Sequence, residues 1–223
     1  MRILVLEHER ECPAALFEDW ARERGHALRT LRVPELTRWP EPGEADVVVS
    51  LGSDRSVHAS ADGWIAEEVV FLRHSHDTGR PVLGICFGAQ ALSKALGGEV
   101  RRASQIALGW TTLATREPEL IPPGPWCRWH EDVFTVPPAA REVMRAGDVP
   151  LAFVQGASVG IQFHPEADAE LVNAWIDGSR SHLAEQAIDE PGLRRHVRSA
   201  APGGRERAYD LFDRIARLWS VAA

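Results

Sequence analysis

Short, unbroken apolar runs separated by amphipathic stretches restrict this chain more than any other feature. Residues 3–6, residues 47–49 with Leu51, and residues 82–85 carry no polar alternation. A strand exposed on one face alternates, so runs that are apolar throughout fit strands covered on both faces, as in a parallel sheet. Helix-like segments lie between them. Residues 14–24 carry Ala15, Leu16 and Trp20 at near-helical spacing, residues 64–78 form a second such segment, and a third starts just after Cys86. Each is followed by glycine, at Gly25, Gly79 and Gly97-Gly98, which accepts the left-handed conformation of a helix end without a Cβ clash. Residues 27–33 read as a further strand and residues 34–43 as a proline-marked loop. The repeated strand–helix units predict an α/β fold: a mostly parallel central sheet with right-handed crossovers, flanked by helices.

After Gly98 the texture changes. Short β-like pieces around residues 99–102, 109–115, 126–129, 151–154 and 159–163 predict a small antiparallel addition and a return to the main sheet. Beyond Pro165 the chain reads as helical to its end, broken at Pro191-Gly192 and at Ala201-Pro202-Gly203-Gly204, with Leu211, Ile215 and Leu218 forming an apolar stripe. The expected organisation is a domain over residues 1–190 and a C-terminal helical extension over residues 191–223 packed on it.

Composition narrows the function classes. Against 32 acidic residues stand 25 basic ones, a net charge of −7, which offers no field for nucleic acid or an anionic membrane. The opening MRILVLEHER is too short an apolar run for an export signal, and no stretch approaches the ~18 apolar residues of a bilayer span. The three cysteines, Cys12, Cys86 and Cys127, are odd in number and widely spaced, forming neither a disulfide framework nor a CxxC knuckle. A cytoplasmic location is expected.

The segment Pro81-Val82-Leu83-Gly84-Ile85-Cys86-Phe87-Gly88-Ala89-Gln90 has the form of a nucleophile elbow, a buried strand entering G-x-C-x-G and then a helix. The glycines remove Cβ atoms that would clash where strand and helix approach. At the helix N-terminus the positive end of the dipole favours the thiolate. Far downstream, Val159-Gly160-Ile161-Gln162-Phe163-His164-Pro165-Glu166 brings a histidine to a strand end with a carboxylate two residues on. His164 would serve as the base for Cys86, and Glu166 would orient the ring. The alternatives are a core cysteine at an ordinary βα turn and a lone strand-end histidine.

Together, G-I-C-F-G-A-Q and G-I-Q-F-H-P-E resemble the nucleophile and His–Glu segments of class I, triad-type glutamine amidotransferases. The likeness extends over about residues 47–166, through Ser50-Leu51-Gly52-Ser53, Lys94 to Val100, Gly109-Trp110 and the Trp129-to-Phe134 block. That block is similar to stand-alone members akin to the GMP synthetase amidotransferase domain. The resemblance implies a flavodoxin-like fold and attack of Cys86 on the γ-carboxamide of glutamine, giving a γ-glutamyl thioester and ammonia. It also implies an oxyanion hole from the backbone amides of Gly52 and Phe87, and substrate contacts at Gln90, Trp129 and His130. This sequence has Leu51-Gly52-Ser53 where the family usually has Gly-Gly-Pro.

No nucleotide-binding motif accompanies the triad, so the ammonia acceptor would belong to a separate synthetase partner. No cofactor and no metal are expected. His74-x-His76-Asp77 sits at a helix end where i and i+2 side chains do not share a face, so a solvated surface is expected there. His130-Glu131-Asp132 is expected in a loop near the glutamine pocket. Cys12 and Cys127 lack a nearby base. Two other readings remain: a γ-glutamyl hydrolase or peptidase needing no synthetase, and a redox or binding protein of the related elbow-cysteine superfamily.

Overall fold

The structure is a computed structural model and describes residues 1–59 and 61–221; the last two residues of the expected C-terminal extension lie outside them. The first half alternates β1 (Arg2–Glu7), α1 (Leu16–Glu23), β2 (Ala27–Arg32), β3 (Val47–Ser50), α2 (Gly63–Asp77), β4 (Val82–Ile85) and α3 (Phe87–Ala95). The middle is β5 (Val100–Thr111), β6 (Ala114–Thr115), β7 (Trp126–Phe134), β8 (Arg141–Ala146), β9 (Val149–Gln155) and β10 (Ser158–Ile161). Helices α4 (Ala169–Gly178), α5 (Arg180–Glu185), α6 (Glu190–Ala200) and α7 (Gly204–Val221) follow. The main sheet has strand order β2-β1-β3-β4-β10-β9-β8-β6. Strands β2 to β10 in that order run parallel, and the β9-β8-β6 side is antiparallel.

The apolar runs explain the layering. Along β1, Ile3 and Val5 join a core with Phe17, Trp20, Leu211, Phe212 and Ile215, while Leu4 and Leu6 join a second core with Phe71, Leu72 and Leu92. Strand β3 divides likewise, Val47 and Val49 on one face and Val48 on the other. A strand that feeds two cores has no face left for polar residues. Trp20 Nε1 also donates to Asp213 at 2.8 Å, tying α1 to α7. A third apolar cluster, with Trp110, Cys127, Trp175 and Val197, joins α4 and α6 to the β5–β7 ribbon. No helix among the described residues is long and apolar enough to cross a membrane.

The structure corrects several expectations. Strand β8 has no counterpart in the sequence reading, because Arg141, Glu142 and Arg145 hide the two adjacent buried residues, Val143 and Met144. Irregular register around Glu142–Arg145 breaks the alternation that would have revealed it. The pieces expected at 99–102 and 109–115 are largely one strand, β5, whose pairing with β7 shifts between Arg102 and Ala107. Strand β7 runs on to Phe134, so His130-Glu131-Asp132 lies in a strand and not in a loop. His76 is half-buried instead of solvated, its Nδ1 3.0 Å from Ser158 Oγ.

The sheet delivers the ends of β1, β3, β4 and β10 to one edge, where α/β folds carry their sites. Two glycines make this close approach feasible. A Cβ on Gly84 would lie 2.4 Å from the Gly88 carbonyl oxygen, and one on Gly88 would lie 2.1 Å from that of Ser50. We expect Gly88→Ala to cost about 3 kcal/mol in urea unfolding. The control Gly63→Ala, whose Cβ meets nothing within 4 Å, should leave the midpoint unchanged or raise it.

Candidate active site

Cys86 occupies the N-cap position of α3 with φ 52° and ψ −106°. For a non-glycine residue such a conformation costs on the order of 1–3 kcal/mol and persists only where neighbours enforce it. Here Cys86 N–H donates to Ile161 O at 2.8 Å and Gly88 N–H donates to Leu51 O at 3.0 Å. The turn is thus pinned between β10 and β3. Cys86 is buried, 6% exposed. Its sulfur lies 3.7 Å from the Trp129 carbonyl oxygen and accepts from Gln162 Nε2 at 3.6 Å.

Beyond β10, His164 N–H donates to Cys127 O at 2.8 Å, bridging to β7. His164 Nδ1 lies 2.6 Å from Glu166 Oε1, with both side chains buried. A carboxylate only accepts, so Nδ1 carries the proton and Nε2 is left for the neighbouring thiol. Nε2 is buried with no hydrogen-bond partner among the described residues. Burial opposes the imidazolium, but Glu166 and Cys86 outweigh it and hold the His164 pKa well above the ordinary histidine value. Gly52 completes the convergence, since a Cβ there would sit 3.1 Å from His164 Cε1 and 3.9 Å from Cys86 Cβ. Among the described residues, no acceptor takes the N–H of Gly52 or of Phe87.

Two cavities meet at Cys86. One, of about 510 Å³, is lined by Gln90, Trp129, His130 and Asp132 among others. Gln90 Nε2 donates to Asp132 O at 3.1 Å, with Gln162 Oε1 at 3.4 Å. His130 Nδ1 faces the Asp132 carbonyl at 3.1 Å. Burial first, then the charges of Arg128 and His164, push His130 down to about 3. The ring is therefore neutral at pH 7, with Nδ1 donating and a buried, unpartnered Nε2 lone pair. Glu131 pairs with Arg102 and His182, and Asp132 with Ser56. No group of three potential ligands is placed to hold a metal ion among the described residues.

The second cavity, of about 410 Å³, opens on the His164 side and is lined by Cys12, Pro13, Leu171, Trp175 and charged residues including Glu9. Burial raises both remaining thiols, Cys12 and Cys127, well above the ordinary cysteine range. Sequence reasoning missed the contributions of Gln162, Glu9, His8, Glu68 and Ser50. His8 and Glu9 lie just beyond the first apolar run, past Glu7, the only signal available for them; Glu68 is one acid among several on α2.

Comparison with known proteins places the chain in a family. The family described as glutamine amidotransferase class-I matches residues 27–174, and the chain belongs to that family. A GMP synthase (glutamine-hydrolysing) of Thermus thermophilus is 33% identical over 133 residues, covering 51% of this chain and 26% of its own length. The chain thus spans about a quarter of that relative. A putative glutamine amidotransferase-like protein, YfeJ, of Salmonella typhimurium is 26% identical across 98% of this chain and 95% of its own. The crystal structure of a glutamine amidotransferase from Thermotoga maritima superposes with a TM-score of 0.84 at 26% identity, covering 96% and 97% of the two chains. A second amidotransferase structure, from Methylobacillus flagellatus, shares the fold with a TM-score of 0.87 at 21% identity, over 97% and 94%.

Next to the site, Ser53 Oγ donates to Glu9 Oε1 at 2.7 Å. Burial and the facing Asp54 carboxyl push Glu9 from 4.5 up to about 7. A carboxyl raised on folding stabilises the native state below its unfolded pKa and loses that contribution as pH rises through the folded one. Glu9→Gln should therefore gain in melting temperature relative to wild type between pH 5 and pH 8. A constant difference across that range would contradict the assignment.

Proposed function

We propose that this chain hydrolyses the γ-carboxamide of glutamine through Cys86, His164 and Glu166. The observation that carries the reading is the strained elbow holding Cys86 beside the buried His164–Glu166 pair, with two unpaired backbone N–H groups at Gly52 and Phe87. Cys86 Sγ adds to the carboxamide carbon while its proton resides on His164, whose raised basicity suits that task. The N–H groups of Gly52 and Phe87 meet the charge on the former carbonyl oxygen. Collapse breaks the C–N bond as His164 Nε2 protonates the nitrogen, releasing ammonia and leaving a γ-glutamyl thioester. Water then adds to the thioester, giving up a proton to His164, and glutamate departs as the thiol is restored.

In this reading the first cavity takes the glutamyl part, with the neutral His130 Nε2 as an acceptor for its ammonium group and Gln90 and the Trp129 segment shaping the wall. Ammonia passes to a separate synthetase partner. The unpaired thiols of Cys12, Cys86 and Cys127 fit a reducing cytoplasm. One observation favours a second reading, a γ-glutamyl hydrolase acting alone. The leaving nitrogen must lie on the His164 side, and the cavity there is far larger than ammonia requires.

The test is release of ammonia and glutamate from glutamine and from a set of γ-glutamyl amides and peptides. Cys86→Ala is expected to fall below about one ten-thousandth of wild-type turnover and His164→Ala nearly as far, whereas Glu166→Ala keeps measurable residual turnover because orientation is lost and not proton transfer. Wild-type turnover by Cys86→Ala overturns the mechanism. Preference for a γ-glutamyl amide by orders of magnitude selects the second reading. A glutamine-like chloroketone should label Cys86 and spare Cys12 and Cys127, as mapped by peptide mass spectrometry.

A further inference from the structure

Beneath the loop that follows β3 lies a buried polar chain outside the reaction just described. His8, at the end of β1, has Nε2 2.8 Å from Glu68 Oε2 of α2, and neither side chain is exposed. The other Glu68 oxygen accepts from Ser50 Oγ at 2.6 Å. His8 Nδ1 lies 3.0 Å from the carbonyl oxygen of Gly52. Both ring nitrogens face groups that can only accept, so both carry hydrogen and His8 is an imidazolium paired with the Glu68 carboxylate. Although burial disfavours that charge, Glu68 more than offsets it, and His8 titrates above the ordinary histidine value.

Of the four backbone groups of Leu51 and Gly52, three have partners among the described residues. Leu51 N–H donates to Leu6 O at 3.1 Å, Leu51 O accepts from Gly88 N–H at 3.0 Å, and Gly52 O accepts from His8. In a trans peptide N–H and C=O point in opposite directions, so fixing Leu51 O aims the Gly52 N–H away from Gly88. His8 holds the next peptide, between Gly52 and Ser53, and so restrains rotation about the two soft dihedrals of Gly52 that would otherwise let the two peptides turn against each other. The His8 ring also packs on Phe87, centroids 4.7 Å apart, and stacks on Trp64 at 5.3 Å. One side chain thus braces both residues whose amides stand unpaired beside Cys86.

We propose that His8, held by Glu68 and Ser50, is a positioning residue that fixes the Gly52 and Phe87 amides as a preformed oxyanion hole. The proposal rests on the glutaminase reading above. Removing one oxyanion donor outright costs roughly a hundredfold to a thousandfold in kcat, and a donor that is loosened but present should cost less.

The experiment compares His8→Leu and the isosteric Glu68→Gln with wild type in three assays: glutamine turnover, affinity for glutamate γ-semialdehyde, and the rate of Cys86 alkylation by iodoacetamide. The aldehyde forms a tetrahedral adduct that needs the hole, whereas alkylation does not. For His8→Leu, kcat should fall about thirtyfold with KM within about threefold, aldehyde affinity should fall in parallel, and alkylation should stay within about twofold. Glu68→Gln, which keeps neutral hydrogen bonds, should lose about threefold to tenfold in kcat and in aldehyde affinity. Unchanged kcat in both variants, or alkylation falling as far as turnover, overturns the positioning role while leaving the triad in place. A wild-type protein inert to glutamine and to the aldehyde overturns the glutaminase reading and this proposal together.

Discussion

The contact on which the rest depends is the meeting of α3 with β3 at Gly88. Its backbone lies so close to Ser50 that an added Cβ would sit 2.1 Å from the carbonyl oxygen, and its N–H closes on Leu51. From this approach follow the positive φ of Cys86, the freedom of the Phe87 amide and the place of Gly52 beside His164. Backbone strain at Cys86 is tolerated because β10 and β3 hold the turn from both sides. A side chain at Gly88 would separate the very groups that the sheet brings together.

Charge in the site is arranged by burial as much as by pairing. Three histidines lie within this region and differ in state for physical reasons. His164 faces Glu166 and Cys86 and is raised, His8 faces Glu68 and is raised, and His130 faces a carbonyl with cationic neighbours and is pushed down to about 3. Identical side chains thus sit in three different charge environments, two that favour the imidazolium and one that favours the neutral ring. Their surroundings, more than the type of residue, set these states.

Helices α4 and α5 close the site from above without entering the sheet. Trp175 packs against the His164 ring at 4.9 Å, and His182 reaches Glu131 on β7. These contacts shape two cavities with different walls, one polar and one with apolar and aromatic residues near His164. On the proposed reading the division would separate the glutamyl side of a substrate from its leaving nitrogen, which is why cavity shape bears on the choice between an ammonia donor and a self-sufficient hydrolase.

The parallel sheet was legible in the sequence because residues such as Val47, Val48 and Val49 feed two cores, and only a doubly covered strand can be apolar throughout. The elbow was legible because Gly84 and Gly88 flank a cysteine at a strand–helix junction, where their missing Cβ atoms let strand and helix approach. Strand β8 was not, since its register irregularity breaks the period-two pattern, and the loop expected at His130 became strand because β5 lay opposite to pair with it. Local sequence determined the elements whose side chains repeat with their own period, and it marked Cys86, His164 and Glu166 as chemistry-bearing. Only the tertiary structure could decide that His8, Glu68 and Ser50 meet beneath Gly52, because their contact joins three separate elements and leaves no periodic trace in the chain.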